Sequence, residues 1–357
     1  SAFLAYNATM FAPISGVTLV DYLLLRRGRL NVSQIFEDAR EGHYRFVGGF
    51  NLAASDVGAG SLDLTASGKL TQSGIIKGNT LALSNTAGDT DFATHANQIA
   101  VLGNIDASGK TFSLQDTVAL TQSGVLKAGT LVMNNTGGTV DLVGQLNQIN
   151  NLGNITALNA FQLENHSGAT LNLNGNLSAG TAIYLDNVDQ HLDFKSASVS
   201  ASGLTVHSKS ISLGSANLAG ANGFIELQPS DASSAISLAG ASSYNLAAAD
   251  IATLKAAGAS NIQITGGSGV LTVGGAADFG AGKTVTIRAG AITDGGNVHP
   301  ITAGTLVLNA SNGDIGAAGA GAIDIAASTV VAPTTKGGNV FLSGAGGFNL
   351  GTSDVDS

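Results

Sequence analysis

The chain has 357 residues, a net charge of −9, only 11% charged residues and no cysteine. So acidic a composition lacks the basic face needed to neutralise phosphates, which excludes nucleic acid as a partner, and the missing thiols exclude disulfides and thiolate metal sites. No run of about eighteen apolar residues occurs, so no helical membrane span is expected.

The apolar content is 44%, yet Phe and Tyr together make only 5% and Trp is missing. Such a core has to be narrow and built from Leu, Val, Ile and Ala, because wide interiors draw on aromatic volume. With 49 glycines against 4 prolines, the chain turns often and is seldom broken.

Residues 1–48 read as a separate N-terminal cap or intersubunit contact segment. Five of the six arginines (Arg26, Arg27, Arg29, Arg40, Arg45) fall in it, and eight of the eighteen Phe and Tyr residues lie within the first fifty positions. Ser33 to Arg40 has the pattern of one or two helical turns with Ser33 as N-cap. Tyr22, Arg26, Arg27, Arg29, Phe36, Arg40 and Tyr44 are the candidate intersubunit contacts. The chain begins at Ser1 without a basic, then apolar leader, and reads as a mature or excised chain.

From residue 49 to 357 short alternating runs recur, among them "SLDLTA", "TLALSN", "TVDLVG", "TLNLNG", "TVTIRAG" and "TLVLNA", each bounded by Gly, Asn, Ser or Asp. This is the signature of strands and turns. One stretch is written twice, fifty positions apart and without a gap: "LTQSGIIKGNT" from Leu70 and "NQIAVLGNI" from Asn97 return as "LTQSGVLKAGT" from Leu120 and "NQINNLGNI" from Asn147. The copies span 70–107 and 120–157. A solenoid must bring each repeat back to one cross-section, whereas a sandwich has no such demand, so the chain is expected to be all-β, a right-handed parallel β-helix. Two coils per fifty residues are expected. Leu70, Leu81, Ile99 and Leu102, with Leu120, Leu131, Ile149 and Leu152, are the expected core stack. Asn97 and Asn147, with Asn104 and Asn154, are expected where turns need left-handed backbone or where amides form ladders. Gly74, Gly124, Gly103 and Gly153 are assigned to turn geometry. The charges kept between the copies, Lys77 with Lys127 and Asp91 with Asp141, are expected on one face of the rod. One short helical excursion is expected at about 247–257, stopped by Gly258.

Chemistry-bearing motifs are scarce. "GGAADFGAGKT" from Gly274 fails the phosphate-loop pattern because Ala277 stands where its first glycine belongs, and a strand follows where a helix is required. "GGSGVLTVG" from Gly266 lacks the carboxylate of a calcium nonapeptide. The densest polar stretch, "YLDNVDQHLDF", holds Asp186, Asp189, His191 and Asp193, a candidate set for a divalent cation or a carboxylate pair. Its flanks carry no second cluster, so a solvated strand and turn is expected, with no metal, cofactor or catalytic residue. Four glutamates in all, and Arg288 as the sole arginine after residue 50, leave a sugar-acid lyase without basic groups to hold its substrate. The expectation is a non-enzyme.

The repeat "LTQSG…AGTLVMNNTGGTVDLVG…NLGNI" and the later "AGAITDGGNVHPITAGTLVLNASNGDIGAAG" and "FIELQPSDASSAISLAGASSYNLAAADIATL" resemble the repeats of large bacterial exoproteins of the filamentous haemagglutinin type, exported by two-partner secretion. The resemblance covers roughly residues 50 to 355; the secretion domain that such proteins use is not recognisable in the chain. It implies a right-handed β-helix, a secreted or bacterial cell-surface location, and a structural or adhesive rod acting in adhesion, aggregation or biofilm. The partners expected are further copies, assembled head to tail as a fibre, and a glycan or other host or cell-surface ligand. A β-helix polysaccharide lyase or hydrolase and a non-catalytic glycan-binding rod are the alternatives.

Overall fold

A computed structural model describes residues 44–46, 50–52, 55–56, 58, 60–296, 298, 300–332, 338–344 and 346–351. The strands join one sheet with parallel pairings from Tyr44↔Leu64 to Val330↔Leu350, and that sheet winds into a β-solenoid of about 14 turns. At about 4.8 Å per coil the stack is about 65 Å long. Tyr22, Arg26, Arg27, Arg29, Phe36 and Arg40 lie outside the described residues. Tyr44 does not: the backbone of Tyr44–Phe46 already pairs with Leu64–Ala66, so the stack takes in residues expected to precede it.

The alternation seen in the sequence becomes an inside and an outside. Ser61–Ala66 and Phe161–Asn165 bury every second side chain, the two-residue period of a pleated strand. Like residues then stack from coil to coil. One column runs Leu142, Leu163, Leu185, Val206, Leu227, Ile264, Ile287, Leu308. A second runs Val140, Phe161, Ile183, Leu204, Ile225, Ile262, Val285, Leu306, Val330. All these side chains are buried. Each fully buried Leu, Ile or Val contributes about 1.5–3 kcal/mol.

The columns set the coil at about 21 residues, the step from Leu142 to Leu163 and from Leu185 to Val206. Fifty residues are therefore not two coils but two coils and about eight residues more. Leu81 stacks between Leu62 and Leu102, while its copy Leu131 stacks between Phe112 and Leu152. Leu70 stacks on Phe50, whereas Leu120 bridges to Val140 and its neighbour Thr121 pairs with Val101. The two copies lie in different columns, on different sides of the solenoid.

What the copies share is a buried polar corner. Asn97 accepts from the Ile76 amide at 2.9 Å and donates Nδ2 to the carbonyls of Phe92 (2.8 Å) and Gln115 (2.9 Å). Asn147 accepts from the Leu126 amide at 2.9 Å and donates to Leu142 and Glu164, both at 3.0 Å. One amide thus ties together three coils whose bending backbone leaves groups unpaired, and a buried backbone group without a partner is costly. Asn147, Asn165, Asn187 and Ser208 continue in register as one fully buried row, and Asp116 with Asn135 forms another. Asn97, Asn104, Asn147 and Asn154 are not among the described residues with positive φ; Asn97 and Asn147 serve the buried corner, while exposed Asn104 and Asn154 accept from the Val125 and Asn176 amides of the next coil at 3.0 and 2.9 Å.

One coil is enlarged. Between Leu227 and its partner Ile264 the chain inserts the strands Ile236–Leu238 and Tyr244–Leu246 and the helix Ala248–Ala256. Asp250 anchors the helix: Oδ1 accepts from the Leu213 and Gly214 amides (2.7 and 3.2 Å), and Oδ2 from the Ala247 amide (2.9 Å). Ile251 and Leu254 are buried beneath it.

Candidate functional site

Outward side chains on the strands of the long core columns form in-register polar rows. Glu164, Asp186 and His207 occupy successive coils of one row. Gln162, Tyr184, Thr205, Glu226 and Gln263 occupy the row beside it, with the Leu163, Leu185, Val206 and Leu227 column buried between. Parallel pairing alone produces this convergence, since neighbouring strands lie about 4.8 Å apart.

Tyr184 sits at the centre. Its hydroxyl is 3.3 Å from Asp186 Oδ2 and 3.3 Å from His207 Nδ1, and its ring meets the His207 imidazole edge to face with centroids 5.3 Å apart. His207 Nδ1 lies 3.9 Å from Asp186 Oδ2. Burial, with the Asp186 charge adding to it, pushes the Tyr184 phenol up to about 12. The phenol therefore stays protonated and donates to Asp186. Asp186 Oδ1 is buried with no hydrogen-bond partner.

Glu164 and Asp186 would repel as in-register carboxylates. Glu164 turns away: Oε1 is 2.7 Å from His166 Nε2 and Oε2 accepts from the Gly144 amide at 3.0 Å. The His166 hydrogen bond, helped by that amide, holds the Glu164 carboxyl below its usual range. Farther along, Glu226 accepts from Gln263 Nε2 at 2.7 Å and Thr265 Oγ1 at 3.3 Å. The whole is an array of acceptors and donors with two imidazoles, His166 and His207, suited to hydrogen-bonding a polar ligand laid along several coils. Among the described residues no three His, Asp or Glu side chains converge as a metal site.

The four residues singled out from sequence are not brought together. Asp186 precedes the buried corner at Asn187 and belongs to the Tyr184 group. Asp189 lies where the strand Ala182–Asp193 turns the corner and its register shifts, with φ of 56° and its amide donating to Ser230 Oγ at 3.3 Å. His191 and Asp193 flank buried Leu192 beyond the turn and share an outer face. There His191 contacts Ser210 Oγ at 2.9 Å and Asp193 pairs with Lys195 at 2.7 Å. Burial works against the Asp193 charge, but Lys195 prevails and lowers its carboxyl. Sequence reading grouped residues 186–193 by proximity and missed Glu164, Tyr184, His207 and Glu226. Their signal is the spacing 164, 186, 207, which is the coil length.

The leucines and isoleucines of the repeat are buried as expected, but its glycines and lysines take other places. Gly103, Gly124 and Gly153 do not have left-handed backbone. A Cβ at Gly124 would lie 2.4 Å from the Asn104 backbone nitrogen, and one at Gly153 would lie 2.7 Å from Val132. Close approach of the neighbouring coil explains them. Lys77 pairs in register with Asp56 and Gln98, whereas Lys127 pairs with Asp106 and Gln148, so the two repeated lysines stand in different columns and do not form one face. Lys283, from the broken phosphate motif, donates Nζ to the carbonyls of Ala257 and Ala259 just past the helix, both at 2.7 Å.

A family model described as permease for cytosine/purines, uracil, thiamine, allantoin matches residues 1–83 of the 357. Within that match, residues 61–66 and 76–83 belong to solenoid strands. Among the described residues no helix is long and apolar enough to cross a membrane. No curated protein and no solved structure matches the chain.

Proposed function

We propose that the chain is an extracellular structural or adhesive rod, a subunit or fragment of a bacterial surface fibre that acts in adhesion, aggregation or biofilm without catalysis. The observation that carries this reading is the single parallel ladder running from Tyr44 to Leu350. Such a stack supplies length and stiffness, and the end coil of a parallel β-solenoid, where uncapped, offers strand edges for head-to-tail pairing with further copies. The resemblance of residues 50 to 355 to haemagglutinin-type repeats supports secretion or surface display. Electron microscopy of the purified chain, with a cell-binding assay, tests it: fibres or cell-bound rods are expected, and monodisperse particles that bind no cell oppose it.

The polar rows favour a second reading, a face that binds a glycan or, as a lyase or hydrolase, cleaves one. The observation behind it is Asp186 placed between Glu164 and His207, with Tyr184 against it. A glycan array, with turnover measured on acidic and neutral glycans, separates the two activities. Retention abolished by Asp186→Asn, without turnover by either protein, supports binding alone.

A further inference from the structure

Asp116 is the one carboxylate in the fully buried corner rows, in register with Asn135 and one coil on from Asn97. Its structural counterpart, one coil on from Asn147, is Asn165, in register with Asn187. The two make the same first contact: the Ile99 amide donates to Asp116 Oδ1 at 3.0 Å, and the Ile149 amide donates to Asn165 Oδ1 at 2.8 Å. They differ at the other atom. Asn165 Nδ2 donates to the Ile149 carbonyl at 2.9 Å and to Asn187 Oδ1 at 2.8 Å. Asp116 has Oδ2 in the corresponding role, and that oxygen is buried with no partner. Where Asn165 carries a donor, Asp116 carries an acceptor, and the in-register Asn135 turns its own Oδ1 to the Gly137 and Gly138 amides, both at 2.9 Å.

We infer that Asp116 takes up a proton inside the folded solenoid in mild acid, its Oδ2 hydroxyl standing in for the missing amide, so that the corner spanning residues 97–135 tightens as pH falls. Burial is the largest influence on this group and pushes its carboxyl up to about 6, with the Ile99, Thr117 and Val118 amides pulling it back. No charged side chain is among the groups acting on it. The ionisable residues of the strands packed around it, Asp91, His95, Asp106 and Lys110 on its own strand, Lys77 on the strand before and Lys127 on the next, all lie at least partly in solvent. The sign follows from linkage. The folded carboxyl is raised above its unfolded value, so the penalty for charging it is absent in acid, grows as pH rises through the interval between the two values and then levels off.

The test is urea unfolding of the full chain, wild type and Asp116→Asn, at pH 5 and pH 7.5. Asparagine restores the donor at both pH values, so the variant is expected to have the higher folded-to-unfolded ratio, by roughly a hundredfold at pH 7.5, shrinking by roughly tenfold at pH 5. An equal advantage at both pH values, or a variant no more stable than wild type at pH 7.5, overturns the inference. If the variant does not accumulate, infrared titration of the wild-type chain decides: a solvent-shielded carboxylic acid band lost between pH 5 and 7.5 supports it, and no such band overturns it.

Discussion

Gln72 and Asn97 exchange two buried side-chain hydrogen bonds across a coil-to-coil step, Nε2 to Oδ1 at 3.0 Å and Nδ2 to Oε1 at 3.1 Å. Replacing Asn97 with Leu strands the Ile76 amide and the Phe92 and Gln115 carbonyls in the interior. A cost of about 2–4 kcal/mol is expected, since each orphaned buried group costs about 1–3 kcal/mol and partial relaxation recovers some of it. Exposed Asn104, whose Oδ1 accepts from Val125 at 3.0 Å, is the control, with Asn104→Ala costing under about 1 kcal/mol. Urea titration of both variants checks the difference.

His166 governs the ionisation of Glu164. Removing it as His166→Ala should return the Glu164 carboxyl toward its ordinary range, because the bond that depresses it is gone. The folded value in the wild type is lowered, so the stabilisation is present above the unfolded value and is lost as pH falls through the folded one. Wild type and variant should therefore differ near neutrality and converge in acid. Carbon-13 NMR titration of the Glu164 carboxyl reads the shift directly, and an unchanged titration curve refutes the link.

Two glycines should respond in opposite directions to alanine. A Cβ at Gly223 would lie 1.9 Å from the Ser202 carbonyl oxygen, which is backbone and cannot swing aside. Gly223→Ala is expected to separate the coils and cost about 1–3 kcal/mol. Nothing lies within 4 Å of a Cβ at Gly282. Gly282→Ala is expected to be neutral or to stabilise by up to about 1 kcal/mol through the unfolded chain. Thermal melts of the pair distinguish them.

Asp250 holds the inserted helix to the coil below through the Leu213 and Gly214 amides. Asp250→Ala should release Ala248–Ala256 while leaving the remaining coils paired. Limited proteolysis is the measurement: new cleavage confined to residues 231–260 is expected, and an unchanged digest counts against the anchoring role.

The coil and its contents were legible in different degrees. Leu70, Leu81, Phe92 and Leu102 stand out at intervals of ten or eleven, and all four are fully buried. The helix was legible from its alanines and lies at Ala248–Ala256. The phase of the stack was not, because halving a fifty-residue duplication suggests a coil of twenty-five, whereas Leu142, Leu163, Leu185 and Val206 mark a coil of about twenty-one. The same error hid the polar rows. His207 and Glu164 are remote in sequence from Asp186 but adjacent in register, while His191 is near in sequence and lies past a corner. Local clustering is a poor guide wherever neighbours come from the next coil.

In the proposed adhesive role, the phase offset would also set the valency of the duplicated unit. Two copies in one column would let a flat partner, such as a cell surface, engage both at once and gain avidity. Copies whose cores stack as Leu62, Leu81, Leu102 and as Phe112, Leu131, Leu152 present their outer surfaces in different directions. A planar receptor layer then meets one copy per rod, and simultaneous engagement is left to a ligand that wraps the shaft or to neighbouring rods bundled around it.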